Sequence, residues 1–411
     1  MSDLPLNIRH RNGVYNFSNF DGRYLGPIIY RKALANSRNT PAVQVLQKTG
    51  LRKVYRFLEM LGLTGGERDA DHYGMGMTIG GLYVSLEDLG EAYGVLANGG
   101  REFRLKWFDD GSSSAPRQLL SEDIARLVTL FLSDAQARLP SFPRKGVLEY
   151  PYPVAIKTGT SQGFRDAWTI AFSSKYIVGA WIGHPDNFRM KHVSGASVGA
   201  LVQKIMAHLH PNAKRGIKES PFPRPDGYKL VRLCALNGST DIKDCPEVMN
   251  EFLRKNRRKR KNDLPLQQKF AVDVRTGMVA DRNTPNDAIR IESALMIPGI
   301  YDEWKFNRGL QPLPFARGHP LNARVEITEP LDRSTFIVDL EIPASMQTLP
   351  LRAVVTPRIP KIDWIVDGKL LRSVSYPYLF RWPLTTGKHT FQARFPNAKI
   401  ASEIVTVHVS H

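Results

Sequence analysis

A Lys-Thr-Gly-Thr sequence at residues 157–160 lies within an apolar, strand-like run over residues 154–161. Two more runs of this kind follow at residues 166–172 and 176–183, and only a short polar segment separates them. Runs rich in β-branched and aromatic residues around a short connection predict a β-hairpin. The lysine is therefore predicted to stand on one strand of an antiparallel sheet, where its ammonium group could act as a catalytic cation.

A second Lys-Thr-Gly, at residues 48–50, has the same letters in a different predicted setting. It closes a helical pattern of apolar residues in which Thr40 is the predicted N-cap and Pro41 the first helical residue. Gly50 then ends that helix. The predicted position on a sheet, and not the tripeptide itself, makes Lys157 the candidate.

Ser37 and Asn39 directly precede this helix and form a second group with candidate chemistry. Polar side chains before a helix usually serve as caps, and Ser-x-Asn occurs by chance about once per chain. The significance of this motif rests on its order, because it precedes Lys157 by about a hundred residues and adjoins a predicted helix.

The elements that must position these residues are predicted as helices followed by the sheet. Apolar residues recur at helical spacing over residues 51–61, after Ser85, after Ser121 and over residues 197–208. An acidic residue three positions after Ser85 completes a capping box, which favours a structural role for that serine. We therefore expect residues 1–212 to have an α+β fold, an antiparallel sheet with flanking helices.

The remainder of the chain is predicted to hold a connecting region and a further domain. Residues 213–318 are rich in proline, interrupted and basic, which indicates an irregular connection. Over residues 319–411, short alternating segments are divided by turn signals such as Asp367-Gly368. This pattern is typical of a small β-sandwich.

The formal charge of +18 and the pI near 9.9 predict attraction to anionic polymers or membrane surfaces. The basic run at residues 254–261 is typical of a solvated linker, and no nucleic-acid reading module accompanies it, so no nucleic acid is expected as a partner. No apolar run approaches the roughly 20 residues of a membrane span, and the start lacks the regions of a signal peptide. From these features of the sequence, the chain is expected to stay in the cytoplasm.

Cys234 and Cys245 are the cysteines of the sequence. Their spacing suits either a small disulfide-closed loop or two unrelated buried thiols, and the redox compartment decides between these alternatives. A zinc site would need two more ligands at finger-like spacing, so neither a metal nor a cofactor is expected.

The order Ser-x-Asn, then Lys-Thr-Gly, resembles the serine acyltransferases that react with penicillin, whose motifs are Ser-x-x-Lys, Ser-x-Asn and Lys-Thr-Gly. The resemblance covers nearly the whole chain. Residues 33–43, 96–100, 157–168 and 181–183 look like the transpeptidase domain of a type 1C class A penicillin-binding protein. Residues 273–277, 367–368, Trp382 and 387–389 look like the C-terminal extension of that family, whose last part is a β-sandwich.

This resemblance implies a D,D-transpeptidase of peptidoglycan biosynthesis, in which a serine attacks the D-Ala-D-Ala amide of a stem peptide and the acyl group then passes to an amine. Ser37 would relay a proton toward the leaving amine. Asn39 would offer its amide to the substrate backbone, while Lys157 would hold the Ser37 hydroxyl and attract the substrate carboxylate.

The strand that carries Lys157 would also bind the substrate. Thr158 and Thr160 would present hydroxyls to the same carboxylate, and the Thr160 N–H would contribute to an oxyanion hole. Gly159 would let an extended peptide approach as an added strand. The resemblance thus implies stem peptides and β-lactams as partners, in a family that is periplasmic and anchored to the inner membrane.

The sequence departs from the family pattern at one point, because it contains no Ser-x-x-Lys. In the family this motif precedes Ser-x-Asn, as do the membrane anchor and the glycosyltransferase domain. We therefore expect a C-terminal portion of such an enzyme that is inactive alone, since catalytic groups of this kind act as a unit. A separate N-terminal polypeptide could supply the missing part. The alternative is a non-catalytic module that binds cell wall or protein.

Overall fold

A computed structural model describes residues 1–10, 13–64, 69–108, 115–161, 163–191, 193–212, 221–256, 266–310, 313–316, 323–338, 343 and 346–410. The chain divides into two compact units. Unit 1 comprises Met1–Asp3, Asn19–Thr240 and Met249–Lys259, and unit 2 comprises Leu4–Ser18, Asp241–Val248 and Arg260–His411. The predicted division into three domains, at residues 212 and 318, stays a prediction.

The helices of the described residues are α1 (Tyr30–Ala35), α2 (Asn39–Thr49), α3 (Leu51–Met60), α4 (Ala70–Tyr73), α5 (Leu86–Ala97), α6 (Glu122–Leu132), α7 (Gly195–Leu209) and α8 (Asp302–Asn307). Short 3₁₀ helices cover Gly74–Ile79, Asn286–Ala288 and Gly299–Tyr301. The strands are β1 (Ser2–Asp3), β2 (Leu6–His10), β3 (Gly13–Phe17), β4 (Gly26–Pro27), β5 (Arg101–Glu102), β6 (Arg117–Gln118), β7 (Ala155–Thr160), β8 (Asp166–Phe172), β9 (Ile177–Gly183), β10 (Tyr228–Cys234), β11 (Val248–Arg254), β12 (Gln267–Asp273), β13 (Met278–Val279), β14 (Ile289–Leu295), β15 (Arg324–Glu329), β16 (Ser334–Ile337), β17 (Thr348–Thr356), β18 (Lys361–Val366), β19 (Lys369–Ser375), β20 (Phe380–Pro383), β21 (Gly387–Arg394) and β22 (Val405–Ser410).

Local capping explains where several of these helices begin and end. Gly50 ends α2 with a φ of 98°, and its N–H donates to the Leu46 carbonyl at 2.8 Å. This glycine confirms that the first Lys-Thr-Gly is a helix end. At the start of α5, the Ser85 Oγ accepts a hydrogen bond from the Asp88 N–H at 3.0 Å, so this serine is a cap as predicted.

Unit 1 is built around the antiparallel sheet β7-β8-β9. Because successive side chains of a strand point to opposite faces, Ile156 packs toward α7 while Ala155 and Lys157 face the side of α1 and α6. The α7 side holds a core of apolar residues, among them Ile156, Ala171, Val178, Val198, Val202 and Met206. The opposite side is closed by Leu132, Ala155 and Phe172, with Leu34, Tyr93 and Val128 packed against them. The predicted sheet with flanking helices is confirmed.

Unit 2 contains the predicted β-sandwich. One sheet has the strand order β15-β17-β20 and the other has the order β16-β22-β21-β18-β19. The inner side chains of both sheets share a single core, which includes Val325, Leu351, Val355, Trp364, Tyr378, Phe391 and Val407. Alternation of apolar and polar residues predicted most of these strands because each one buries a single face.

The segment predicted to be an irregular connection also contains strands. In unit 1, β10 pairs with β11, and in unit 2, β12 pairs with β13 and β14. These strands carry charged and polar residues on their exposed side, which obscures the period-two pattern. Cys234, the last residue of β10, and Cys245 are both disulfide-bonded.

Within the described residues, no helix combines the length and the apolar character that crossing a membrane requires.

Candidate active site

Ser37 and Lys157, which are 120 residues apart in the sequence, lie in direct contact. The Lys157 Nζ donates a hydrogen bond to the Ser37 Oγ at 2.6 Å. It also donates to the Thr158 carbonyl oxygen at 2.6 Å. The ammonium group is thus held between strand β7 and the connection from α1 to α2, where the two predicted motifs meet.

The environment of Lys157 changes its acid–base behaviour. Loss of contact with water disfavours the charged ammonium form, and this desolvation lowers the pKa of Lys157 to about 8. An amine with a pKa close to neutral can both donate and accept a proton under physiological conditions. Lys157 can therefore exchange a proton with the Ser37 hydroxyl that it contacts.

The backbone at Ser37 has an uncommon conformation. Its φ is 54°, in the left-handed region that residues other than glycine rarely adopt. The Ser37 N–H donates to the Leu34 carbonyl at 3.1 Å and the Arg38 N–H to the Ala33 carbonyl at 3.0 Å, so this turn ends α1. Strained residues of this kind persist where the surrounding structure fixes them, often at functional sites.

Arg38, the residue between the predicted serine and asparagine, anchors this turn in the interior. Its Nε donates to the Asp3 Oδ2 at 2.9 Å and its Nη1 to the Asp21 Oδ2 at 3.0 Å. A further hydrogen bond runs from its Nη2 to the Arg23 carbonyl. Only 3% of the Arg38 side chain and none of the Asp3 side chain is exposed, so this ion pair is buried.

Asp3 accepts further hydrogen bonds from residues around the same turn. Its carboxylate accepts hydrogen bonds from Asn19 Nδ2 at 2.6 Å, the Leu25 N–H at 2.9 Å and Thr40 Oγ1 at 3.0 Å. Asn19 Oδ1 in turn accepts the backbone N–H of Asn39, the first residue of α2, at 2.9 Å. Asp3 and Asn19 therefore hold both sides of the Ser-x-Asn turn. They were not predicted, because residues so distant in sequence leave no local pattern.

Thr158, Gly159 and Thr160 lie on β7, which pairs only with β8 among the strands of the described residues. The opposite edge of β7 has no strand partner among the described residues. The Thr160 Oγ accepts a hydrogen bond from the Gly195 N–H at 3.1 Å, and its own hydroxyl hydrogen can still be donated to a ligand.

The N-terminus of α7 approaches β7 most closely at Gly195. A Cβ atom at Gly195 would lie 2.7 Å from the Gly159 carbonyl oxygen and 2.8 Å from the Trp168 carbonyl oxygen. A Cβ atom at Gly159 would lie 3.4 Å from the Trp168 Cβ, an ordinary contact. The close packing behind the Lys-Thr-Gly strand therefore depends on the glycine of α7.

We expect Gly195→Ala to destabilise unit 1 by about 1–3 kcal/mol, because α7 or β7 must shift to admit the methyl group. Gly90→Ala is the matched control, since a Cβ at this position of α5 would meet no atom within 4 Å. That variant should gain up to about 1 kcal/mol from helix propensity. Urea unfolding measures both changes, and equal stabilities for the two variants would contradict the packing described here.

A Ser-x-Asn turn that contacts a Lys-Thr-Gly strand, within an antiparallel sheet flanked by helices, matches two of the three motifs of the class of penicillin-interacting serine acyltransferases. Comparison with known families agrees with this class. Residues 6–207 match the penicillin binding protein transpeptidase domain, and residues 316–393 match the Penicillin-Binding Protein C-terminus Family. The chain belongs to the penicillin-binding proteins, and it contains part of the transpeptidase domain followed by the C-terminal extension.

Individual relatives show the same relationship. Penicillin-binding protein 1C of Escherichia coli (strain K12) is 34% identical over 240 residues, which cover 58% of this chain and 30% of that protein. Penicillin-binding protein 1A of Rickettsia bellii is 25% identical over 287 residues, covering 61% of this chain and 35% of that protein. The chain thus spans about a third of the length of these curated relatives.

A solved structure shares the fold. The crystal structure of Penicillin-Binding Protein 1A from Haemophilus influenzae superposes with a TM-score of 0.52 at 18% sequence identity. The match covers 64% of this chain and 45% of that chain. This structure confirms the predicted fold class, and the family matches confirm the predicted family.

Proposed function

We propose that this chain carries the part of a D,D-transpeptidase site that binds the stem peptide. In this site, Ser37, Asn39 and Lys157 take part in acyl transfer from D-Ala-D-Ala peptides. The observation that supports this proposal most directly is the 2.6 Å hydrogen bond between Lys157 Nζ and Ser37 Oγ. A cation with a lowered pKa and a hydroxyl in contact form a path for a proton.

In the proposed reaction, the peptide nitrogen of the leaving D-alanine must gain a proton as its bond to the acyl carbon breaks. Ser37 can give its hydroxyl proton to that nitrogen and recover one from the Lys157 ammonium group. Because the pKa of Lys157 is about 8, this donation is less costly than from an ordinary lysine. Asn39 would hold the substrate backbone through its side-chain amide.

The substrate would lie along the free edge of β7. Thr158 and Thr160 would donate hydroxyl hydrogen bonds to the terminal carboxylate, and Lys157 would add its positive field. The Thr160 N–H would stabilise the oxyanion, and Gly159 would keep the edge open for the peptide. Stem peptides belong to the cell wall, so this reaction would take place in the periplasm.

The nucleophile of the proposed reaction would come from outside these 411 residues, which contain no Ser-x-x-Lys. A separate N-terminal polypeptide is the proposed source. The chain alone is then expected to bind a D-Ala-D-Ala peptide without forming an acyl-enzyme, because the groups of such a site act as a unit.

This proposal is tested with the purified chain and a fluorescent penicillin. We expect no covalent label after denaturing electrophoresis, and a label at a defined serine would refute the proposed inactivity.

Binding of a D-Ala-D-Ala peptide, measured by NMR, tests the proposed binding of the stem peptide. Lys157→Ala should weaken binding about tenfold through loss of a charge-assisted contact, whereas Lys53→Ala on exposed α3 should not. Equal affinities for the two variants would refute the proposed site.

A further inference from the structure

Two arginines, Arg165 and Arg189, lie at the turn that joins β7 to β8, just beyond the Lys-Thr-Gly-Thr sequence of residues 157–160. The Arg165 Nη1 donates to the Asn187 carbonyl oxygen, a neutral acceptor, at 3.0 Å. A Cβ atom at Gly163, within the turn, would lie 3.1 Å from the Arg189 Nε and 3.5 Å from the Arg189 Cζ. The Arg189 guanidinium therefore lies directly against the turn, where a glycine leaves room for it.

Among the described residues, no carboxylate forms an ion pair with Arg165 or Arg189. The two acidic residues nearest to them in the sequence have other contacts. The Asp166 Oδ2 accepts a hydrogen bond from the Ser161 hydroxyl at 2.8 Å. The Asp186 side chain is 74% exposed, and its Oδ2 lies 3.7 Å from the Nδ1 of a neighbouring histidine. Both guanidinium groups can therefore still pair with an anionic ligand.

An aromatic pair connects this turn to the candidate site. The Phe164 ring, in the turn, meets the Phe20 ring edge to face with 5.3 Å between the centroids. Phe20 lies between Asn19 and Asp21, which both form hydrogen bonds to the Ser-x-Asn turn. The Met190 N–H donates to the Phe164 carbonyl oxygen at 2.7 Å, which fixes the segment after β9 to the same turn. The two arginines therefore border the candidate site.

Strand β7 is accessible only toward the end that carries these arginines. Ala155 and Ile156, its first two residues, are buried, whereas residues 157–160 are partly exposed. An extended peptide covers about 3.3 Å per residue. When D-Ala-D-Ala lies beside residues 157–160, the residue before it therefore reaches the turn at Arg165. The buried start of the strand leaves no room for it at the other end.

We infer that Arg165 and Arg189 bind a carboxylate on the part of the stem peptide that precedes D-Ala-D-Ala, and so determine specificity for acidic stem peptides. This inference rests on the proposed function. A guanidinium group pairs with a carboxylate through charge-assisted hydrogen bonds, which are often bidentate. An amide in the same place would present only one acceptor oxygen and no charge, so it would be bound more weakly.

Two peptides of nearly the same shape, acetyl-Glu-D-Ala-D-Ala and acetyl-Gln-D-Ala-D-Ala, test this inference by NMR titration of the full chain. We expect the unchanged chain to bind the acidic peptide about fivefold more tightly, the size of a favourable ion pair near the surface. The double variant R165Q/R189Q should bind both peptides about equally. The double variant K48Q/K53Q removes the same charge from exposed positions of α2 and α3 and should keep the preference.

The outcomes separate this inference from the proposed function. Equal affinities of the unchanged chain for the two peptides would overturn the inference and leave the proposed D-Ala-D-Ala site standing, and this comparison needs no variant. Binding of neither peptide would overturn both. A preference that persists in R165Q/R189Q would also overturn the inference, because the overall positive charge of the chain would then account for it.

Discussion

Replacement of Asp3 by asparagine is expected to lower the free energy of unfolding of unit 1 by about 3–5 kcal/mol. Asp3 has no exposed side-chain surface and accepts hydrogen bonds from four donors, one of which is the buried Arg38 guanidinium. The amide would be neutral and would keep only part of these bonds. Much of the cost comes from the Arg38 charge, which would remain buried after its buried partner is neutralised.

Asp21→Asn is the matched control for this result, because Asp21 contacts the same guanidinium from a more exposed position. The Asp21 side chain is 39% exposed, and its ion pair with Arg38 has an N–O distance of 3.0 Å. An ion pair open to water contributes only up to about 1 kcal/mol. Urea unfolding should therefore separate the two variants clearly, and similar losses for both would refute the role of the buried carboxylate.

The same network shows which parts of the candidate site could be predicted from the sequence. The two motifs were predictable, whereas the ion pairs that hold them were not. The Lys-Thr-Gly strand was predicted because the apolar run that contains it and the hairpin after it are local patterns. Ser37 and Asn39 were found through their order along the chain and through family resemblance. Asp3 lies 35 residues before Arg38, and no periodicity links the two positions. Long-range ion pairs of this kind become visible only when the backbone is folded.

A second set of contacts that was not predicted involves Arg31, a residue of α1. Arg31 is buried and its Nη2 bonds to the Glu251 Oε1 at 2.8 Å, while its Nη1 bonds to the Asp134 Oδ2 at 3.2 Å. Its guanidinium also lies 4.6 Å from the Phe131 ring centroid. This arginine ties the helix that ends at Ser37 to α6 and to β11. Strand β11 was itself not predicted, so its buried glutamate could not be assigned a partner from the sequence.

These contacts share a physical consequence for the site. The turn that carries Ser37 is fixed by buried ion pairs on both sides, so its left-handed backbone is maintained by contacts outside the motif. The Ser37 Oγ is thereby kept within hydrogen-bond distance of the Lys157 Nζ. Desolvation of this lysine then changes both its chemistry and the stability of unit 1, because a lowered pKa in the folded state is also a folding penalty.

The stability of unit 1 is therefore expected to rise with pH through the titration of Lys157. The folded pKa of Lys157 is about 8, below the value of 10.5 for an unburied lysine, so the unfolded chain binds more protons between these values. The penalty is complete below about pH 8 and disappears above about pH 10.5. At about 1.4 kcal/mol per pKa unit, the gain across this window is about 3 kcal/mol.

Comparison with Lys157→Met isolates this effect, because methionine keeps much of the side-chain volume and does not titrate. Urea unfolding at a series of pH values should show the unchanged chain gaining about 3 kcal/mol in free energy of unfolding relative to Lys157→Met as the pH rises from 8 to 10.5. Lys53→Met, on the exposed side of α3, should give a curve parallel to that of the unchanged chain, since it leaves the partly buried Lys157 amine in place. A curve for Lys157→Met that is also parallel would mean that this lysine is charged at no cost in the folded protein, and the proposed proton path through Ser37 would lose its physical basis.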